Sequence, residues 1–134
     1  MTQDPKAIMR RFYEEVINGR NLAVVDELTT PDFVEHEDVA GVSGREGAKQ
    51  FFSMVQAAFP DFRMNVEDMI AEGDKVVVRS TLTGTHRGVF MGVPPTSKSI
   101  SVSVIDIVLF SEGRIAEHWG VTDTGSMMEQ LGQP

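Results

Sequence analysis

Apolar side chains recur every third or fourth residue near the start of the chain, and every second residue through most of its second half. Ile8, Phe12 and Val16 stand four apart, with Pro5 suited to a first turn and Gly19 to a stop. This pattern predicts an amphipathic helix over residues 5–18. Leu22, Val25 and Leu28 predict a short second helix closed by Pro31, and "DFVEHEDV" an extended piece running into a polar loop around "GVSGREG". From Glu46 to Phe59 the spacing of Phe51, Phe52, Val55 and Phe59 predicts a further long helix, stopped by Pro60. The period then changes to two. "FRMNVEDMIA", "KVVVRSTLTGTH", "SISVSVIDIVLF" and "RIAEHWGVT" read as strands, with "SEGR" as a hairpin turn and "GSMMEQLG" as a closing turn or short helix. Helices followed by three or four antiparallel strands predict one α+β domain over residues 1–134. A curved sheet wrapped around the helices would leave a pocket at one end.

Side chains alternate between the faces of a strand, so parity sorts the polar residues. On "SISVSVIDIVLF" one face carries Ile100, Val102, Val104, Asp106, Val108 and Phe110, which makes Asp106 the single charge on an apolar face. A carboxylate buried there must find a donor or shift its pKa upward; a raised pKa would suit an acid or base working near neutrality, and pairing to a neighbour a structural aspartate. Arg79 is the candidate partner, sharing a face with Val77, Thr81 and Thr83. On the last strand His118 lies with Ala116, Gly120 and Thr122, whereas Glu117, Trp119, Val121 and Asp123 face the other way.

Composition narrows the function classes. A hydrophobic fraction of 41% supports a folded core, and the net charge of −8 argues against nucleic acid and anionic membranes. There is no cysteine, hence no thiol chemistry and no Cys-based metal site. His36, His86 and His118 lie in different predicted elements without ligand spacing, so no metal is expected. No apolar run is long enough to span a membrane, and "MTQDPKAIMRR" lacks the core of a signal peptide, so the expected location is the cytoplasm. A hydrophobic small molecule is the expected ligand.

The stretches "GTHRGVFMGVPPTSKSISV", "FSEGRIAEHW" and "DTGSMMEQLG" resemble the SnoaL-like polyketide cyclases and related ester cyclases of the nuclear transport factor 2-like superfamily. The resemblance covers almost the whole chain. It implies a cone of N-terminal helices packed in a strongly curved mixed β-sheet, often dimeric, with a ligand pocket at the wide end. It also implies acid–base chemistry on carbon acids without a cofactor: an intramolecular aldol condensation in which a base removes a carbon-bound proton and polar groups stabilise the enolate. Residue by residue, His118 matches the family histidine of the last strand, while Gly120 stands where the cyclases carry their acid/base aspartate. "VIDIVLF" also resembles the strand of ketosteroid isomerases that places Asp106 at their oxyanion aspartate. In that comparison His36 falls at the base position and Phe12 at the oxyanion tyrosine, so Tyr13 lies one residue off and the resemblance stops short of steroid isomerisation.

These readings make Asp106, His118 and His36 the candidate catalytic residues, with one of the histidines as base. Arg79, Thr81 and Gly120 are expected to contact the ligand, and Phe12, Phe33, Phe52 and Phe90 to form apolar walls. Two other functions compete: a non-catalytic binding or dimerisation module, and an epoxide hydrolase-like site holding water between Arg79 and Asp106. An open apolar cavity with Asp106 and His118 in contact would favour the enzyme, and Asp106 locked to Arg79 the module.

Overall fold

The computed structural model describes residues 4–36 and 43–133. The chain opens with α1 (Pro5–Arg11), capped by the Asp4 side chain accepting from the Lys6 N–H. It continues without a break into a π-helix over Phe12–Asn18. Such winding closes hydrogen bonds five residues back rather than four, and it recurs at functional sites. Here two rows of side chains are turned inward, Ile8 and Val16 in one, Met9, Tyr13 and Ile17 in the other. Asn18 fastens the end of this segment to the sheet by bonding both the N–H and the carbonyl of Met64.

After α2 (Val24–Leu28) the chain turns directly into β1 (Thr29–Glu35). Pro31 therefore lies inside a strand instead of ending a helix. It is tolerated because β1 is an edge strand, where a missing N–H costs no ladder bond. The predicted extended piece ends at Glu35; its remainder, Glu37 to Val39, and the first residues of the polar loop lie outside the described residues. The second long helix, α3 (Gly44–Ala58), begins two residues before the predicted start.

The sheet runs β1-β5-β4-β3-β2, where β2 is Arg63–Glu72, β3 Lys75–Thr85, β4 Ser99–Ser111 and β5 Arg114–Thr122. β1 pairs parallel to β5 and the other neighbours are antiparallel, which gives the mixed sheet expected. The apolar face of β4 is buried along its length, and with Val76, Val78, Ser80 and Leu82 of β3 it closes over the helices. A final helix, α4 (Thr124–Gln130), is capped by Asp123 and held on β4 by two hydrogen bonds between Gln130 and Ser101.

Phe59, 1% exposed, is a buried anchor outside the cavity lining: its ring lies 5.4 Å from His86 and 5.3 Å from Phe90. Beneath it, a side chain on Gly84 would meet Phe59 at 3.0 Å. Phe59→Ala should therefore open a cavity that three elements cannot fill, and lower unfolding free energy by about 3–5 kcal/mol in urea titrations.

Candidate active site

Between the helices and the sheet lies a cavity of about 80 Å³. Its walls are apolar, including Phe12, Phe33, Phe52, Met64 and Val104, and its polar lining is Tyr13, Thr29, Glu35, Asp106, His118 and Thr122. Four of these join in one hydrogen-bonded chain. The Tyr13 hydroxyl donates to Asp106 Oδ2 at 2.6 Å. Asp106 Oδ1 lies 2.8 Å from His118 Nε2, and His118 Nδ1 lies 2.8 and 2.5 Å from the two oxygens of Glu35. The two links to His118 follow from strand geometry, and Tyr13 reaches Asp106 from the π-helix. Asp106 and His118 are two residues out of direct register on the inner face of β4 and β5, and Glu35 is the register partner of His118 across the parallel β1–β5 pair.

The electrostatics follow from the bonding. A carboxylate only accepts, so both nitrogens of His118 donate and the ring is an imidazolium. Burial disfavours that charge, but hydrogen bonds and attraction from Asp106 and Glu35 outweigh it and push the pKa up to about 10. Burial, then the charge of Asp106, hold the Tyr13 hydroxyl well above the ordinary tyrosine range. Tyr13 is thus a fixed hydrogen-bond donor at neutral pH. Asp106, 8% exposed, accepts from both neighbours, which compensates the cost of burying its charge.

Several sequence expectations need correction. Arg79 and Thr81 lie on the outer face, bonded to Asp68 and Glu67. Residues opposite one another in a sheet share a face, and Arg79 stands opposite the outward Ile105 while Val78 stands opposite Asp106. Arg79 therefore neither neutralises Asp106 nor shares a water with it, which removes the basis for the epoxide reading. His36 is also outside, stacked on Trp119 with centroids 4.6 Å apart and bonded to Glu117. Its neighbour Glu35 takes the inner position; parity with buried Phe33 was the signal that could have found it. Phe90 packs on Phe59, away from the cavity. Gly120 does not make room for ligand, because Asp106 and His118 fill the space above it. Tyr13, expected to lie one residue off the site, lines the cavity and bonds Asp106.

The model of the SnoaL-like polyketide cyclase family matches residues 7–131. Nogalonic acid methyl ester cyclase of Streptomyces nogalater is 29% identical over 113 residues, covering 82% of this chain and 84% of that protein. IdmH of Streptomyces antibioticus superposes with a TM-score of 0.85 at 34% identity, over 97% of this chain and 99% of IdmH. TsrD of Streptomyces laurentii superposes with a TM-score of 0.90 at 27% identity, over 98% of this chain and 99% of TsrD.

Proposed function

The chain belongs to the SnoaL-like polyketide cyclase family, and from that premise we propose that it closes a ring in a hydrophobic polyketide by cofactor-independent proton transfer. The observation that carries this reading is the Tyr13–Asp106–His118–Glu35 chain opening onto an apolar cavity. Asp106 serves as base rather than His118, whose two ring nitrogens both carry protons at neutral pH. The carbon-bound proton passes to an Asp106 oxygen and the C–H electron pair becomes an enolate. Negative charge leaves Asp106 as it appears on the ligand oxygen. Tyr13 and the His118 imidazolium, which had stabilised the carboxylate, are then free to donate to the enolate. The enolate carbon attacks a carbonyl carbon of the same molecule, and the resulting alkoxide recovers the proton from Asp106. Glu35 orients His118 and balances its charge.

Among the described residues the cavity lining holds no Lys or Arg, and two carboxylates face one imidazolium. That environment favours a neutral ester or ketone over a free carboxylate. At about 80 Å³ it is also smaller than the roughly 150 Å³ that accepts a benzene ring, so the half-buried Phe12, Phe51 and Phe52 must give way to a polycyclic ligand.

The test is deuterium exchange into β-keto esters and cyclic ketones in heavy water, followed by NMR. Acceleration by the wild type establishes carbon-acid chemistry, and product analysis then separates ring closure from return of the proton to another carbon. Ligand binding without any acceleration would leave the binding module as the better reading.

We also propose that two copies pair through the outer sheet face. Val121, 72% exposed, stands as one wall of a depression of about 240 Å³ that is also lined by His36, Ile105, Ile107, Trp119 and Gly120. A knob and a hollow on one patch suit an isologous two-fold contact. Val121→Lys should convert a dimer into a monomer by light scattering, with the circular dichroism unchanged; a wild type that is monomeric at every concentration sinks the idea.

A further inference from the structure

A glycine in the interior of a strand weakens it, because it adds backbone entropy on unfolding and has no side chain to pack. Gly120 lies inside β5, two residues before its end, and its φ is not among the positive values that only glycine adopts readily. Backbone conformation therefore does not call for it, and space does. Gly120 is the register partner of Asp106 across β4 and β5, so both point to the inner face. A Cβ at position 120 would lie 2.7 Å from Asp106 Oδ1, and 3.0 and 3.1 Å from Cε1 and Nε2 of His118. Oδ1 and Nε2 are the atoms of the 2.8 Å bond between the two side chains.

Neither partner can retreat freely. Asp106 is tied through its other oxygen to Tyr13, and His118 through its other nitrogen to Glu35. Any side chain at 120 must therefore lengthen the central bond or break one of the outer two. We propose that Gly120 is a positioning residue whose missing side chain is the space in which Asp106 and His118 meet. It touches no ligand, and acts through the pair. The catalytic consequence rests on the function proposed above, but the geometric one does not.

The experiment is a double-mutant cycle with Gly120→Ala, Asp106→Ala and the double variant, reading the His118 imidazole by 15N NMR titration, activity by deuterium exchange, and Tm. In the wild type His118 should titrate at about 10. Gly120→Ala should lower that midpoint by at least about one unit and cut kcat by about tenfold or more with KM little changed, the pattern of a disturbed reacting geometry rather than lost binding. Once Asp106 is Ala, adding Gly120→Ala should change little further, because the nearest atom it would strike is gone and the His118 ring is released on that side. An unchanged His118 midpoint in Gly120→Ala, or effects that add to those of Asp106→Ala, would overturn the proposal. If Gly120→Ala does not fold, the double variant should fold; failure of both would show that the strand itself, and not the pair, needs the glycine. The NMR titration decides the matter even if no exchange activity is found, which keeps this inference separable from the proposed reaction.

Discussion

Asp106→Asn is expected to lower proton exchange by about 10²–10⁴-fold, the range that a positioned general base contributes. The substitution preserves shape and removes both the charge and the basic oxygen pair. It also creates a conflict that an apolar replacement would not. The wild-type carboxylate accepts from Tyr13 on one oxygen and from His118 on the other. An amide has one acceptor, so its NH₂ must face one of two donors, and an unsatisfied buried donor costs about 1–3 kcal/mol. The variant should therefore lose stability as well as activity, and its His118 should titrate lower for want of a counter-charge. Exchange rates, urea unfolding and the imidazole resonances measure the three effects. Exchange within a few-fold of wild type would remove Asp106 from the role of base, and Glu35 would become the group to test.

Much of this site was legible in the sequence because a strand's period is simple. Asp106 stood out as the one charge on the face from Ile100 to Phe110, and that face is buried throughout. His118 followed from the same rule on the last strand. The fold class followed from the change of period from four to two and from motifs in the second half of the chain. Parity alone does not say which face of β3 points inward, since each face mixes Val with Ser or Thr. The pairing of β3 with β4 crosses the long connection from His86 to Lys98, and only the register places Val78, not Arg79, opposite Asp106. Tyr13 was missed for a different reason. The helix was phased on Ile8, Phe12 and Val16, whereas the π-helical winding also buries the row that contains Tyr13. Glu35 is hard to single out from sequence because a histidine, the more usual proton carrier, stands beside it. Alternation from Phe33 selects the glutamate, and the histidine turns to the outer face with Trp119.

His118→Gln should reveal the same chain through its pH dependence. Paired with two carboxylates, the folded-state pKa lies at about 10, above the ordinary 6.5. Its stabilising contribution is therefore complete below about pH 6.5 and is lost as pH rises through about 10. Between these values the folded protein holds a proton that the unfolded chain has released, so unfolding free energy falls with pH, by at most about 1.4 kcal/mol per unit from this one group. Other groups titrate too, but the difference between wild type and His118→Gln isolates this slope. Urea unfolding at pH 6, 7, 8 and 9 should show the two stability curves converging as pH rises. Parallel curves would mean that His118 carries no extra proton. Activity should follow the same group: wild-type exchange holds through neutral pH and declines toward about 10, as the imidazolium that can donate to the enolate is lost. The glutamine variant should be about 10²-fold slower at pH 7, within the range lost with one proton donor, and should lack that alkaline decline. A decline that persisted without His118 would remove the imidazolium from the donor role, since burial and the charge of Asp106 hold the Tyr13 hydroxyl above that pH range.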